Sequence, residues 1–464
     1  MKRRKIQVCL LSVLIIVNLG CGQNKPLEKL ALEKQAEIIK NDKAYLKQYY
    51  GIKLATQGDI ELEKQRQDMI SSARRWLSSQ LIDTTDILDF VLPQMVNNSI
   101  DTGWRIQVKE KFKGIKLPEG KITTEFFLKF CNQVNDSVKR QITFGDADED
   151  ESQLTYPALS IKGKGSCVAM SDYTNYTFRA LGIPVTTDFI PVWGNLNAPG
   201  HAWNRLLLKG RSLPFMGAES NIGDYNPLVL SIRSDGSIST KRLPAKVYRQ
   251  SRYGDHSQDF FGKKVLDVTD DYVDVNTISI EHTDKNDIPL YLATFNRGKY
   301  TVVAVGEKMK NKVLFAKMGT DLVYFPVRLY RATPVPVGAP VVCKQGVNET
   351  MTPDLDKRVT IKVDHLLPLA QGQMYYLAKN GYNGLDKIDF HNKYDVCPLP
   401  KYKTIYELWY WDMGWQKHSS VKAEGKQLVF QNVPGNALYL VKASSESFDK
   451  TRPFTYENET ITWF

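Results

Sequence analysis

The sequence predicts an α+β protein with a helical N-terminal region, a mixed α+β core and β-sandwich domains towards its C-terminal end. Three observations carry this. Apolar residues recur at helical spacing from Leu27 to about Arg140, a helix followed by two strands fills the middle, and beyond residue 262 the period changes to two. At 464 residues the chain exceeds one ordinary core, so several domains are expected. The boundaries fall as a signal peptide at 1–20, a polar tether at 21–26, the helical region at 27–150, and the core at 151–262. A β-sandwich at 263–345 and a second β-rich, jelly-roll-like domain at 346–464 complete the series.

The amino terminus is set apart by composition. Lys2-Arg3-Arg4-Lys5 is followed by an apolar run from Val8 to Val17 that only Ser12 interrupts, and Gly20 stands directly before Cys21. That series reads as a secretory signal, and the Gly-Cys pair resembles a bacterial lipobox, which implies diacylation of Cys21. The alternative is an uncleaved anchor, for which the apolar run is short. The lipid would hold the protein to the envelope, at the outer membrane. The periplasmic face is favoured over the cell surface, because Gly22-Gln23-Asn24-Lys25 lacks acids. The four leading basic residues supply part of the net +11, and the rest are interspersed with acids, so no nucleic-acid partner is expected.

Within the helical region, Thr84 or Thr85 is expected to cap a short helix that Pro93 ends, and Thr123 to cap another. The second carries an apolar face of Phe126, Phe127, Phe130, Cys131, Val134 and Val138, which marks Cys131 as a core thiol. The acidic run Asp146-Ala147-Asp148-Glu149-Asp150-Glu151 lacks the glycine and spacing of a calcium loop and reads as a solvated turn. Neither a metal nor a cofactor is expected. Cys343 and Cys397 are either a disulfide or two separate buried thiols.

Cys167 has a distinctive setting. Ser166 is a suitable N-cap, which makes Cys167 the first residue of a helix with Met170, Thr174, Phe178 and Leu181 on one stripe, ended by Gly182 and Pro184. Unpaired N–H groups and the helix dipole at that position favour thiolate over thiol. Strands are expected over Val185–Trp193 and His201–Leu208, so His201 starts a strand and can serve as the base for Cys167. For a third residue to orient the imidazole, Glu219 is the first carboxylate after Ala202, and Asp224 stands in reserve. Asn204 is three positions along the strand and faces away from His201.

Gly165-Ser166-Cys167, Arg179-Ala180-Leu181-Gly182-Ile183-Pro184 and His201-Ala202-Trp203-Asn204 together resemble the transglutaminase-like superfamily, which shares its core with papain-type proteases. The match is specific over about 160–225. Phe90-Val91-Leu92-Pro93, Trp104-Arg105, Pro244 to Arg249 and Asp267-Val268-Thr269 extend the likeness to the large transglutaminase-domain lipoproteins of Bacteroidetes-type bacteria. The resemblance implies a helix packed on an antiparallel sheet and a Cys167–His201–Glu219 site, Glu219 departing from the family's usual aspartate. It implies a thiol-dependent amidase, peptidase or acyltransferase acting on peptide, glycopeptide or cell-wall peptide bonds through a thioester. The competing reading is an inactive scaffold whose β-domains bind peptide or carbohydrate. Trp409, Trp411 and Trp415 lie close together in the tail, where sandwich packing is favoured over a sugar-stacking surface.

Overall fold

The computed structural model describes residues 71–93, 96, 103–115, 122–145, 151, 154–229, 240–251, 258–281, 288–381 and 388–464. The signal, Cys21, the tether, the helices expected before residue 71 and Asp146 to Asp150 lie outside the described residues. Among the described residues, no helix is long and apolar enough to cross a membrane. The fold is α+β, as the change of period predicts.

Among the described residues, the helices along the core include α1 (Trp104–Lys111), α2 (Thr124–Lys139), α3 (Tyr156–Lys162) and α4 (Cys167–Ala180). Thr123 caps α2 as expected, its hydroxyl accepting from Phe126 N at 3.2 Å. Cys131 is buried with Phe127, Phe130, Val134 and Val138, whereas Phe126 is left exposed. Phe126 lies about 100° round the helix from Phe127, outside the stripe that faces the core. In the short helical turn at Thr84–Asp86 the N-cap position falls on Asp83 rather than on a threonine, without a side-chain capping bond, and the turn runs into a π-helical turn at Ile87–Val91 before Pro93.

β1 (Thr143–Phe144) pairs in parallel with β2 (Lys164–Gly165), just before α4. The core sheet contains β3 (Val185–Val192), β4 (Pro199–Leu208), β5 (Arg211–Phe215), β6 (Tyr248–Gln250), β7 (Gln258–Phe260) and β8 (Lys263–Asp267). All its pairings are antiparallel, in the order β5-β4-β3-β6-β8-β7. α4 lies between this sheet and the other helices, so Ala169 to Ala180 are all buried and no single apolar stripe exists. Three of its polar residues are satisfied inside: Asn175 Nδ2 donates to Thr187 Oγ1 at 2.7 Å, and Thr174 and Thr177 bond carbonyls one turn back.

The next two sheets comprise β9 (Val275–Glu281), β10 (Tyr291–Asn296), β11 (Lys299–Val305), β12 (Glu307–Met309), β13 (Lys312–Gly319), β14 (Leu322–Tyr330), β15 (Thr333–Pro336), β16 (Val341–Lys344) and β17 (Val347–Thr350). One runs β11-β10-β14-β16-β17 with β15 beside β14, the other β12-β13-β9. The last part has β18 (Asp354–Val363), β19 (Ile405–Trp411), β20 (Trp415–Lys422), β21 (Leu428–Gly435), β22 (Tyr439–Ala443), β23 (Phe454–Glu457) and β24 (Thr460–Trp463). β18 pairs β21, the other five form a sheet, and α5 (Leu369–Asn380) and α6 (Lys393–Val396) lie between β18 and β19. The core sheet ends at Asp267, and β17 ends at Thr350. Cys343 and Cys397 are separate buried thiols.

The three parts share surfaces that bear on the site. Val192 and Ala245 of the core pack with Ile278, Leu322 and Tyr324. Arg452, fully buried, donates to the carbonyls of Gly194, Phe295 and Phe464 and to Asn197 Oδ1. Asn296 Nδ2 donates to Trp193 and Ala198 carbonyls at 3.0 and 3.1 Å. The loop from β3 to β4, which leads directly to His201, is thus held by both β-domains. Trp411 meets both Phe325 and Trp415 edge to face, Trp415 lies tilted against Phe325, and Trp409 meets Phe448 edge to face, so these rings serve packing between and within the β-domains.

Candidate functional site

Cys167 is the first residue of α4, and the Ser166 cap accepts from Ala169 N at 3.5 Å. The cap is itself held by Glu151. That carboxylate is buried, accepts from Ser166 N at 2.9 Å and Lys162 Nζ at 3.0 Å, and also takes the Ser166 hydroxyl. This corrects the expectation of a solvated acidic turn at its last residue. A negative charge beside the start of a long helix is favoured by the dipole and the free N–H groups. Burial pushes the Glu151 carboxyl up, but the bonds from Ser166 and Lys162 outweigh it and hold it below the ordinary 4.5.

Cys167 and His201 line one cleft of about 440 Å³. His201 is the third residue of β4, opposite Ile190, rather than its first, because pairing begins at Pro199. The thiol is not shifted the way its helix position suggests. Burial pushes it up, the N–H groups of Ala202, Val168 and Cys167 pull it part of the way back, and the Glu219 charge adds to the rise. Burial and the nearby Arg242 lower His201 from 6.5 to about 4. The resting pair at neutral pH is therefore thiol and neutral imidazole. Desolvation outweighs the helix dipole here.

The hydrogen-bond partner of the imidazole is Tyr225, which sequence reasoning passed over. Its hydroxyl lies 2.7 Å from His201 Nε2. Burial pushes this phenol up to about 12, and Arg242 hydrogen-bonds to it. Arg242 also stacks over Trp193, 4.6 Å from the ring centroid, and Trp193 and Trp203 flank the imidazole. The only sequence signal was a tyrosine within the Gly223-to-Pro227 turn, next to the reserve candidate Asp224. Asp224 itself is exposed.

Glu219 is the exposed residue of an otherwise buried turn whose backbone is tightly held. Gly217 N donates to Asn204 Oδ1, Ala218 N to Asn135 Oδ1, and Asn135 Nδ2 to Ser220 O. A Cβ at Gly217 would lie 2.0 Å from Thr174 Oγ1, and Ala218 takes a left-handed φ of 68°. Asn204 thus builds the turn from the interior, bonding Ser171 O of α4 as well, and stands apart from the imidazole. The Glu219 charge reaches Cys167 and Tyr225, and partial burial raises its own pKa. Among the described residues, no group of three or more His, Cys, Asp or Glu is placed to hold a metal.

The titrations at this site set an acid limit. His201 is neutral in the fold down to about pH 4 but ionises near 6.5 when unfolded, so the unfolded chain takes up the proton first. Stability is expected to fall as pH drops from about 6.5 towards 4. Glu151 contributes above its unfolded value and loses that contribution as pH falls further. Urea midpoints measured from pH 7.5 to 4 should show the first decline, and His201→Gln should flatten it. An unchanged slope in that variant would contradict the buried neutral ring.

No family model matches the chain, and no curated protein matches it. A solved structure described as a "Putative Cysteine Protease" from Cytophaga hutchinsonii is similar over 35% of this chain and 57% of that one, with 14% identity and a TM-score of 0.21. This chain therefore spans little more than half the length of that protein.

Proposed function

We propose that this protein is a thiol-dependent acyl-transfer enzyme of the transglutaminase-like type, anchored in a bacterial envelope by lipid on Cys21. The observation that carries the reading is the meeting of Cys167, at a helix start with three backbone N–H groups around its sulfur, and His201 in one cleft. Cys167 attacks the carbonyl of a peptide, glycopeptide or cell-wall peptide amide. His201 takes the thiol proton and returns it to the leaving amine, and water or a second amine resolves the thioester. The N–H groups of Cys167 and Val168 offer hydrogen bonds to the oxyanion.

Tyr225 fixes the imidazole. Its oxygen can accept both from Arg242 and from Nε2–H, which leaves Nδ1 bare, the form a base requires. Glu219 supplies the negative charge that offsets the imidazolium and Arg242. A scaffold without turnover is the second reading, and it draws on the thiol being held protonated.

The test is product release from a panel of peptide amides, glycosylasparagines and cell-wall peptides. Turnover by the native protein that Cys167→Ala abolishes supports the enzyme, and no turnover on any class supports the scaffold. The same preparations test the anchor: Cys21→Ser should leave the protein soluble or unprocessed, and normal processing with unchanged membrane attachment would contradict it.

A further inference from the structure

The cleft at Cys167 has a composition that selects what binds beside the reacting sulfur. Its walls include Val168, Phe189, Ile190, Pro191, Phe260 and Phe261. The remaining lining adds uncharged Thr187 and Gln250, so among its described lining residues Cys167 and His201 alone can titrate. A charged group placed there would lose water and gain no countercharge from those walls.

Phe261 is the most telling wall. Its side chain is 55% exposed, and its φ of +50° lies in the left-handed region that a bulky residue enters only under strain. Together with Gly262, at φ +79°, it makes the two-residue turn between β7 and β8. Asparagine or aspartate is the usual residue at that first position. The ring is held there, stacked with Tyr291 at 5.9 Å and 18° and edge-on to Phe260 at 5.0 Å. A strained, exposed aromatic fixed beside a cleft whose described walls carry no charged side chain fits a ligand contact.

We propose that this cleft is a subsite for a bulky, uncharged, apolar side chain on the acyl donor, with Phe261 as its outer wall. The inference rests on Cys167 being the nucleophile of the proposed reaction. The substrates it selects carry an aliphatic or aromatic side chain next to the carbonyl that is attacked. Acyl groups ending there in a carboxylate or an ammonium are excluded.

Substituted iodoacetamides test this without a known substrate, because each transfers its carbon to sulfur as iodide leaves and the thiol proton passes to His201 or solvent. Second-order rates at Cys167 are followed by peptide mapping for N-benzyl, N-carboxymethyl and N-(2-aminoethyl) iodoacetamide, each divided by its rate with free cysteine. The benzyl reagent is expected to exceed both charged ones by roughly tenfold or more, as apolar pockets discriminate. Phe261→Asn, which suits the turn and should preserve the hairpin, is expected to erase most of that ratio. Equal normalised rates in the native protein would overturn the subsite, and a ratio unchanged in Phe261→Asn would overturn the role of that residue. His201→Ala separates the two layers of argument: it should lower all rates while keeping their ratio. A Cys167 inert to every reagent would overturn both the nucleophile and the subsite.

Discussion

Cys167→Ala and His201→Ala, which remove the nucleophile and its base, are expected to abolish turnover or nearly so, and Tyr225→Phe to lower it by about 10²–10⁴, the range found when a group that sets a catalytic imidazole is lost. The Tyr225 figure follows from geometry. Its hydroxyl is the hydrogen-bond partner of the His201 ring at 2.7 Å, and the phenylalanine variant takes that partner from a buried Nε2. Glu219→Gln should cost less than Tyr225→Phe, because the carboxylate acts through its charge and is itself exposed, so solvent screens it. Asp224→Asn should do little, since that side chain is exposed. Turnover and the pH dependence of kcat/KM would be measured for each variant. Full activity in Tyr225→Phe with a large loss in Glu219→Gln would reverse the assignment of the orienting group.

Asp188→Asn is expected to destabilise the fold by about 3–5 kcal/mol, the usual cost of breaking a buried ion pair on one side. Asp188 is fully buried in the middle of β3. Arg249 Nε and Nη2 donate to its two oxygens at 2.8 and 2.9 Å, and the Tyr272 hydroxyl donates at 2.7 Å. The Asp188 charge holds the Arg249 guanidinium firmly protonated against the burial that opposes it. The neutral amide would leave that guanidinium with Asp271 at 3.3 Å as its remaining carboxylate. Urea unfolding should show a lower midpoint with an unchanged slope. A loss under about 1 kcal/mol would mean that water reaches Arg249 in the variant.

Local signals survived the passage from sequence to structure. Ser166 and Thr123 cap their helices and Gly182, at φ +76°, ends α4, because each depends on residues within a turn or two. The period change marked the β-domains because strand alternation is equally local. Features that depend on distant partners were not legible. Glu151 read as one more acid in a charged run, yet fifteen positions on it holds the cap of α4. Tyr225 and Arg242 meet His201 only after their two segments fold back onto strand β4, and no spacing announces that. Asp188 sat inside an ordinary strand pattern, its partners Arg249 and Tyr272 far along the chain. The sign of the Cys167 shift was misjudged for the same reason: a helix start is visible in sequence, whereas the burial that outweighs it is not.

The central claim is that Cys167 forms a thioester with His201 as its base, and intact-mass analysis of the native protein mixed with an activated ester of a neutral, apolar acyl group tests it most directly. One acyl adduct should form, map to Cys167 and be released by hydroxylamine. It should be absent in Cys167→Ala and much slower to form in His201→Ala. An adduct that forms equally fast without His201, or no adduct at Cys167 at all, would contradict the account.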